Sequence, residues 1–375
     1  MSFSTDVLKN EEQAIYDLRK LYKQFGYSLY KVSKFEEYDL YAHNKSFLIS
    51  QNVLTFTDTN GKLLALKPDV TLSITKNIPD EDTVTHKLCY NENVYRTSAE
   101  SNGFREIMQT GLECIGKIDA YAEGEVVMLA MKSLATISND YVLDLSHMGF
   151  LEGLLDEANI QAADRGDFMK LIESKNIHSL QALCRQKGIA ESMQEKLCAL
   201  TELYLPVQKA LPILETLLCG SKMQDAYEDI KSIADMIATY GLEDCLYLDF
   251  SIVTDVNYYD GISFKGFING IPDSVLSGGR YDRLMARLGK KSGAVGFAVY
   301  LDRLERFETI SDHYDADTVL LYDQDTDMKK LLAVQQQIIE EGKKVMTVNT
   351  LNPSLRYRRL MKLTNGGLEI LETND

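Results

Sequence analysis

The chain has no spacing that would hold a metal through side chains. Its five histidines, His43, His86, His147, His178 and His313, form no HxxxH or HxH pattern, and its six cysteines form no CxxC pair. Zinc sites and disulfide frameworks both need clustered ligands, so neither is expected, and the thiols read as reduced and mostly buried. No window approaches the roughly 18 apolar residues of a membrane span. The opening MSFSTDVLKNEEQ has no apolar signal-peptide core, which leads us to expect a cytoplasmic protein without a membrane partner. Positive charge is also short: the net charge is −16, so bulk electrostatics oppose binding to nucleic acid. No internal repeat or low-complexity tract is apparent.

The 375 residues are enough for two or three packed units. Ile15, Leu18, Leu21, Tyr22 and Phe25 recur at helical spacing, and Gly26 follows as a natural stop. The texture then changes to short alternating runs. NVLTFTD and KLLALKPD flank Asn60-Gly61, a hairpin signal because both residues tolerate positive φ. HKLCYNENVYR and EIMQTGLECIG continue a largely antiparallel sheet, since short connections cannot join parallel neighbours. Residues 151–240 read as a helical insert, and strands return at CLYLDFSIV and ISFKGFI. From Ala316 the order β-α-β implies a parallel pair in a small C-terminal α/β unit. The fold class expected is α+β, a largely antiparallel sheet with a helical insert and a small C-terminal α/β unit.

Several polar residues interrupt otherwise apolar strands. LKPDVT places Asp69 and Thr71 just after a strand, where they could grip an ammonium group, although a Pro-Asp turn with a Thr cap explains the same residues. Arg96 lies on the next strand. Gln109 and Glu113, four apart, face one side of a strand together with Gly111, whose missing side chain would leave room for a ligand; a solvated polar stripe is the alternative. SGGRYD reads as a strand-to-helix turn in which two glycines permit close backbone approach, as any tight turn requires. NYYD adds Tyr258 and Tyr259. Taken together, Asp69, Thr71, Arg96, Gln109, Glu113, Tyr258 and Tyr259 make a pocket for a small zwitterion: carboxylates for the amine, an arginine for the carboxylate and aromatic walls.

The ordered set LKPDVT, VYR…GFREIMQTGLECIG, NYYDGISF, SGGRYDRL and AVGFAVYLDRL resembles the catalytic core of class II histidyl-tRNA synthetases. The resemblance implies a synthetase-like core over residues 1–310, an antiparallel sheet flanked by helices that is dimeric through the GYSLYKVSKFEEYDLY region, and a truncated anticodon-binding-like unit over 314–375. It also implies that the seven pocket residues hold histidine. The departures concern ATP. Where synthetases carry an Arg-Gly ahead of the tyrosine pair, this chain has Thr254-Asp255. Adenylation gathers negative charge between two anions and needs a fixed cation there. The ATP-gripping loop is reduced to RTSAESNGFR, with Arg105 alone after the glycine, and Tyr300 replaces a glycine where adenine would lie, while Arg303 is kept.

A chain that keeps the amino-acid pocket, loses the ATP chemistry and trims the tRNA module resembles the regulatory subunits of ATP phosphoribosyltransferase. That resemblance implies a non-catalytic subunit without a cofactor or a tRNA partner, assembled as homodimers in a hetero-octamer with the short-form catalytic subunit. It implies that the regulatory chain is required for full activity in the first step of histidine biosynthesis and takes part in feedback inhibition by histidine. The alternatives are a histidyl-tRNA synthetase with degenerate motifs and a stand-alone histidine sensor.

Overall fold

The computed structural model describes residues 10–44, 52–80, 84–97, 103–252, 258–304, 314–364 and 367–374. The chain divides into two compact units, Met1–Phe307 and Glu308–Asp375.

The first unit opens with α1 (Asn10–Gln24), which buries the stripe of Leu18 and Tyr22 and ends at Gly26, whose φ of 83° only glycine adopts at little cost. Strands β1 (Ser28–Leu29) and β2 (Phe35–Glu37), helix α2 (Tyr38–His43), and strands β3 (Thr55–Thr57) and β4 (Leu63–Leu66) follow. In the β3–β4 hairpin Asp58 N–H donates to Lys62 O and Gly61 N–H to Asp58 O, and Gly61 alone takes positive φ, at 79°. The turn is therefore a three-residue loop closed by one glycine, not the two-residue loop that Asn60-Gly61 suggests.

Helix α3 (Val70–Asn77) leads to the long antiparallel pair β5 (His86–Thr97) and β6 (Phe104–Gly116). Helix α4 (Ala120–Ile137) is capped by Asp119, whose side chain accepts from Ala122 N–H at 2.9 Å, and is buried along most of its length. Strand β7 (Tyr141–His147) precedes the insert: helices α5 (Met148–Glu157), α6 (Ala162–Glu173), α7 (Ile177–Gln186) and α8 (Glu191–Glu202), strand β8 (Tyr204–Pro206), then α9 (Val207–Leu217) and α10 (Ser221–Thr239). The insert is helical as its composition predicts, except that β8 leaves it to join the sheet edge. Strands β9 (Leu246–Asp249), β10 (Ile262–Ile268) and β11 (Leu276–Arg280), helix α11 (Asp282–Arg287) and strand β12 (Gly293–Tyr300) complete the unit.

These strands form a nine-stranded sheet in the order β1-β5-β6-β12-β11-β10-β7-β9-β8. Each neighbouring pair among the six strands from β5 to β7 is antiparallel, and among the described residues of this sheet the parallel pairs are β1·β5 and β7·β9. Alternation along the strands divides the sheet into two faces. Cys89, Leu112, Cys114, Leu145, Phe264 and Phe297 belong to one core cluster with α4, while the opposite face carries the polar residues. Gly278 and Gly279 lie inside β11 and not in the turn that SGGRYD suggests. A Cβ at Gly278 would come within 2.5 Å of Gly296 O and the Phe297 side chain. Glycine is required there by packing of the strand between its neighbours.

The second unit is a four-stranded sheet, β14-β13-β15-β16, built from β13 (Ala316–Leu321), α12 (Met328–Glu340), β14 (Val345–Val348), β15 (Tyr357–Thr364) and β16 (Gly367–Thr373). The β-α-β order does produce a parallel β13·β14 pair. The closing β15–β16 hairpin carries no clear alternating signal.

Candidate functional site

The polar face of the sheet gathers most of the residues singled out from the sequence. Asp69 caps α3, its Oδ1 accepting from Leu72 N–H at 2.8 Å, so the Pro-Asp turn doubles as a helix start. Its Oδ2 lies 3.7 Å from the Arg96 guanidinium, and Arg96 Nε donates to Pro68 O at 2.8 Å. Burial raises the Asp69 carboxyl above its ordinary range, with the Arg96 charge and the cap working against that rise.

Thr71 sits in the first turn of α3 and points at the sheet, its Oγ1 donating to Glu113 Oε1 at 2.6 Å. The Tyr281 hydroxyl donates to Glu113 Oε2. Glu113 is only 1 % exposed, and burial pushes its carboxyl up to about 8 against the pull of these two hydrogen bonds. The space that the carboxylate occupies exists because residue 296 is glycine, where a Cβ would meet Glu113 Oε2.

Gln109, two register positions away on the same face of β6, is 2 % exposed, and its Nε2 makes no hydrogen bond. A buried amide donor without a partner costs about 1–3 kcal/mol, a cost that a hydrogen-bonding ligand would remove. Tyr258 and Tyr259 stand edge to face with ring centroids 4.8 Å apart, and Tyr258 lies 5.9 Å from the Tyr281 ring. All seven sequence-selected residues thus surround one patch of the sheet face. One expectation is corrected: the gap at Gly111 is not open. A Cβ there would meet the Tyr90 hydroxyl at 2.7 Å and Phe297 O at 2.2 Å, so the glycine makes room for a tyrosine. Tyr281 was missed. Its signal was the tyrosine closing SGGRY, at the end of a strand whose Gly279 lies on the site face.

The ATP-related departures are described in part. Thr254-Asp255 and residues 98–102 of the RTSAESNGFR loop lie outside the described residues. Arg105 is exposed on β6, opposite Arg96. Tyr300 is paired in register with Gln109, and its hydroxyl is hydrogen-bonded to Ser277 Oγ at 2.6 Å. The Arg303 guanidinium stacks 4.5 Å from the Tyr300 ring centroid and donates to Ser274 O. A side chain therefore occupies the place beside Gln109, hydrogen-bonded to a serine of β11 and stacked against an arginine. Among the described residues no group of three or more histidine, cysteine, aspartate or glutamate side chains could hold a metal, and no helix is long and apolar enough to cross a membrane.

Comparison with known proteins finds relatives over most of the chain. The family model for histidyl-tRNA synthetase matches residues 5–304. The ATP phosphoribosyltransferase regulatory subunit of Clostridium kluyveri is 30 % identical over 336 residues, covering 87 % of this chain and 85 % of that protein. A crystal structure from Bacillus halodurans, described as an ATP phosphoribosyltransferase regulatory subunit/histidyl-tRNA synthetase, superposes with a TM-score of 0.74 at 21 % identity, over 92 % of this chain and 90 % of that one. A chain of the ATP phosphoribosyl transferase (HisG:HisZ) complex of Thermotoga maritima superposes with a TM-score of 0.62 at 19 % identity, over 78 % and 97 %.

Proposed function

Because the chain belongs to the histidyl-tRNA synthetase family, in the branch of the ATP phosphoribosyltransferase regulatory subunits, we propose that it binds histidine without activating it and controls a short-form transferase. That partner would catalyse the first step of histidine biosynthesis, with this chain required for its full activity and mediating inhibition by histidine. The assembly is a cytoplasmic hetero-octamer containing homodimers of this chain, and tRNA has no part in it.

One observation carries the reading: an intact amino-acid cluster stands beside a filled neighbouring position. Thr71, Glu113 and Tyr281 form a buried carboxylate–hydroxyl network which, with the buried Asp69 carboxylate, suits an ammonium group, and Gln109 Nε2 offers an unused donor. The adjoining Tyr300, fixed by Ser277 and Arg303, takes the room that the resemblance allots to adenine. The Thermotoga maritima complex supports a transferase partner.

Regulation requires histidine to bind the active and inhibited assemblies with different affinity, and the coupling must be reciprocal. Calorimetric titration of the assembly is expected to show weaker histidine binding when ATP and phosphoribosyl pyrophosphate are saturating. The pure chain should bind histidine yet fail to exchange pyrophosphate into ATP. Equal affinity in the two conditions removes the regulatory coupling, and histidine-dependent exchange would restore the synthetase reading.

A further inference from the structure

Helix α12 of the second unit carries two apolar stripes. Leu331 and Val334 pack against Leu320 and Leu363 of the sheet, and Ile338 is buried on the same side. Met328, Leu332 and Ile339 are 49 %, 62 % and 55 % exposed. With Gln335 among them they recur at spacings of four, three and four, the a/d pattern of a coiled-coil seam. At about 100° per residue this second stripe lies roughly a quarter turn from the buried one, so the sheet that covers the first leaves it bare.

The charges on the helix are a second, independent sign. A helix gains from acidic residues in its first turn and basic residues in its last, and beyond its Asp327 cap α12 has neither. It has the reverse, with Lys329 and Lys330 at the start and Glu340 and Glu341 at the end. Glu341 pairs with Lys343 at 2.6 Å and Glu340 accepts from Gln336 Nε2 at 3.0 Å, but neither lysine makes an ion pair among the described residues. The dipole does not account for these charges, and the contacts of the helix leave the lysines unused.

Both features fit one occupant, the same helix of a second copy running antiparallel. About a two-fold axis between Ala333 and Val334, Leu332 faces Gln335 and Met328 faces Ile339 of the second copy, the a-to-d layers of an antiparallel seam. The same axis brings the two lysines of each copy beside Glu340 and Glu341 of the other. A parallel pair would set like charges together at both ends. We propose that the exposed face of α12 is an isologous contact between two copies of this chain, separate from the contact through the core that the resemblance implies. Three apolar side chains per copy bury far less than the roughly 1,200 Å² of a standard interface, so the contact is weak and depends on concentration. Its charges are exposed, which makes it sensitive to salt.

Sedimentation velocity of the full chain at low salt, from roughly 1 to 300 µM, should show the average mass climbing toward twice its low-concentration value. The Lys329→Glu, Lys330→Glu variant and the Glu340→Lys, Glu341→Lys variant should each stay at the low-concentration mass, because like charges then meet across the axis. An equimolar mixture of the two should associate again, a recovery that misfolded variants could not give. A mass independent of concentration in the unsubstituted chain, or no recovery in the mixture, overturns the proposal. So does a Leu332→Glu variant that self-associates as before but no longer stimulates the short-form transferase, a result that assigns the stripe to that protein.

Discussion

Glu113→Ala is expected to weaken histidine binding by about 100-fold or more in calorimetric titration. Glu113 is the most deeply held carboxylate of the cluster, oriented by Thr71 on one oxygen and Tyr281 on the other. Losing a charge-assisted partner in such a place costs on the order of 3 kcal/mol, which corresponds to about two decades in affinity. The position of its pKa adds a sharper expectation. Burial lifts the carboxyl to about 8, so the empty protein holds a proton there at neutral pH, whereas an ammonium ligand selects the ionised form. Affinity should then climb by about tenfold per pH unit as pH approaches 8 and level off above it. The empty protein should behave in the opposite sense. Its folded pKa is raised above the unfolded value, so the folded state binds more protons between the two, and stability falls as pH rises through that window. Glu113→Gln removes both dependences. Undiminished binding in Glu113→Ala, or an affinity flat with pH in the unsubstituted chain, contradicts the placement of histidine beside this carboxylate.

Lys67→Ala is expected to cost about 3–5 kcal/mol in urea denaturation, the penalty for leaving half of a buried ion pair. Lys67 is fully buried, an unusual state for lysine, and its Nζ contacts Glu92 Oε2 at 2.8 Å. Glu92 Oε1 also accepts from Val32 N–H at 3.0 Å, so the pair ties the segment before β2 to β5. Burial lowers the pKa of Lys67, and the Glu92 carboxylate is what holds its charge in place. Removing the lysine strands a carboxylate, whereas Lys67→Met with Glu92→Gln removes both charges and keeps an acceptor for Val32. The double variant should recover most of the loss. Equal destabilisation of the single and double variants would assign the effect to packing of the lysine stem.

Local signals were legible where the cause is local. The apolar stripe of α1, its glycine stop, the alternating runs of β5 and β6 and the β-α-β order of the second unit all follow from spacing along the chain. Site residues were legible because polar groups in apolar strands are costly, which marked Asp69, Gln109 and Glu113. Side-chain partners across the sheet were not. Tyr281 reaches Glu113 over 168 residues of sequence, and alternation states which face a residue takes without stating which strands are neighbours. For the same reason Gly111 read as ligand space, although the adjacent strand supplies Tyr90 to fill it. Gly278 and Gly279 read as a turn because glycine pairs usually mark one, while the close approach they permit occurs in the middle of a strand.

Regulation of a transferase is tested most directly by the rate of phosphoribosyl-ATP formation from ATP and phosphoribosyl pyrophosphate by the short-form transferase of the same source, with and without this chain. Strong stimulation that histidine reverses, and that Glu113→Ala leaves insensitive to histidine, is the expected result. A folded chain that leaves the rate unchanged would contradict the regulatory-subunit reading and favour a stand-alone histidine sensor.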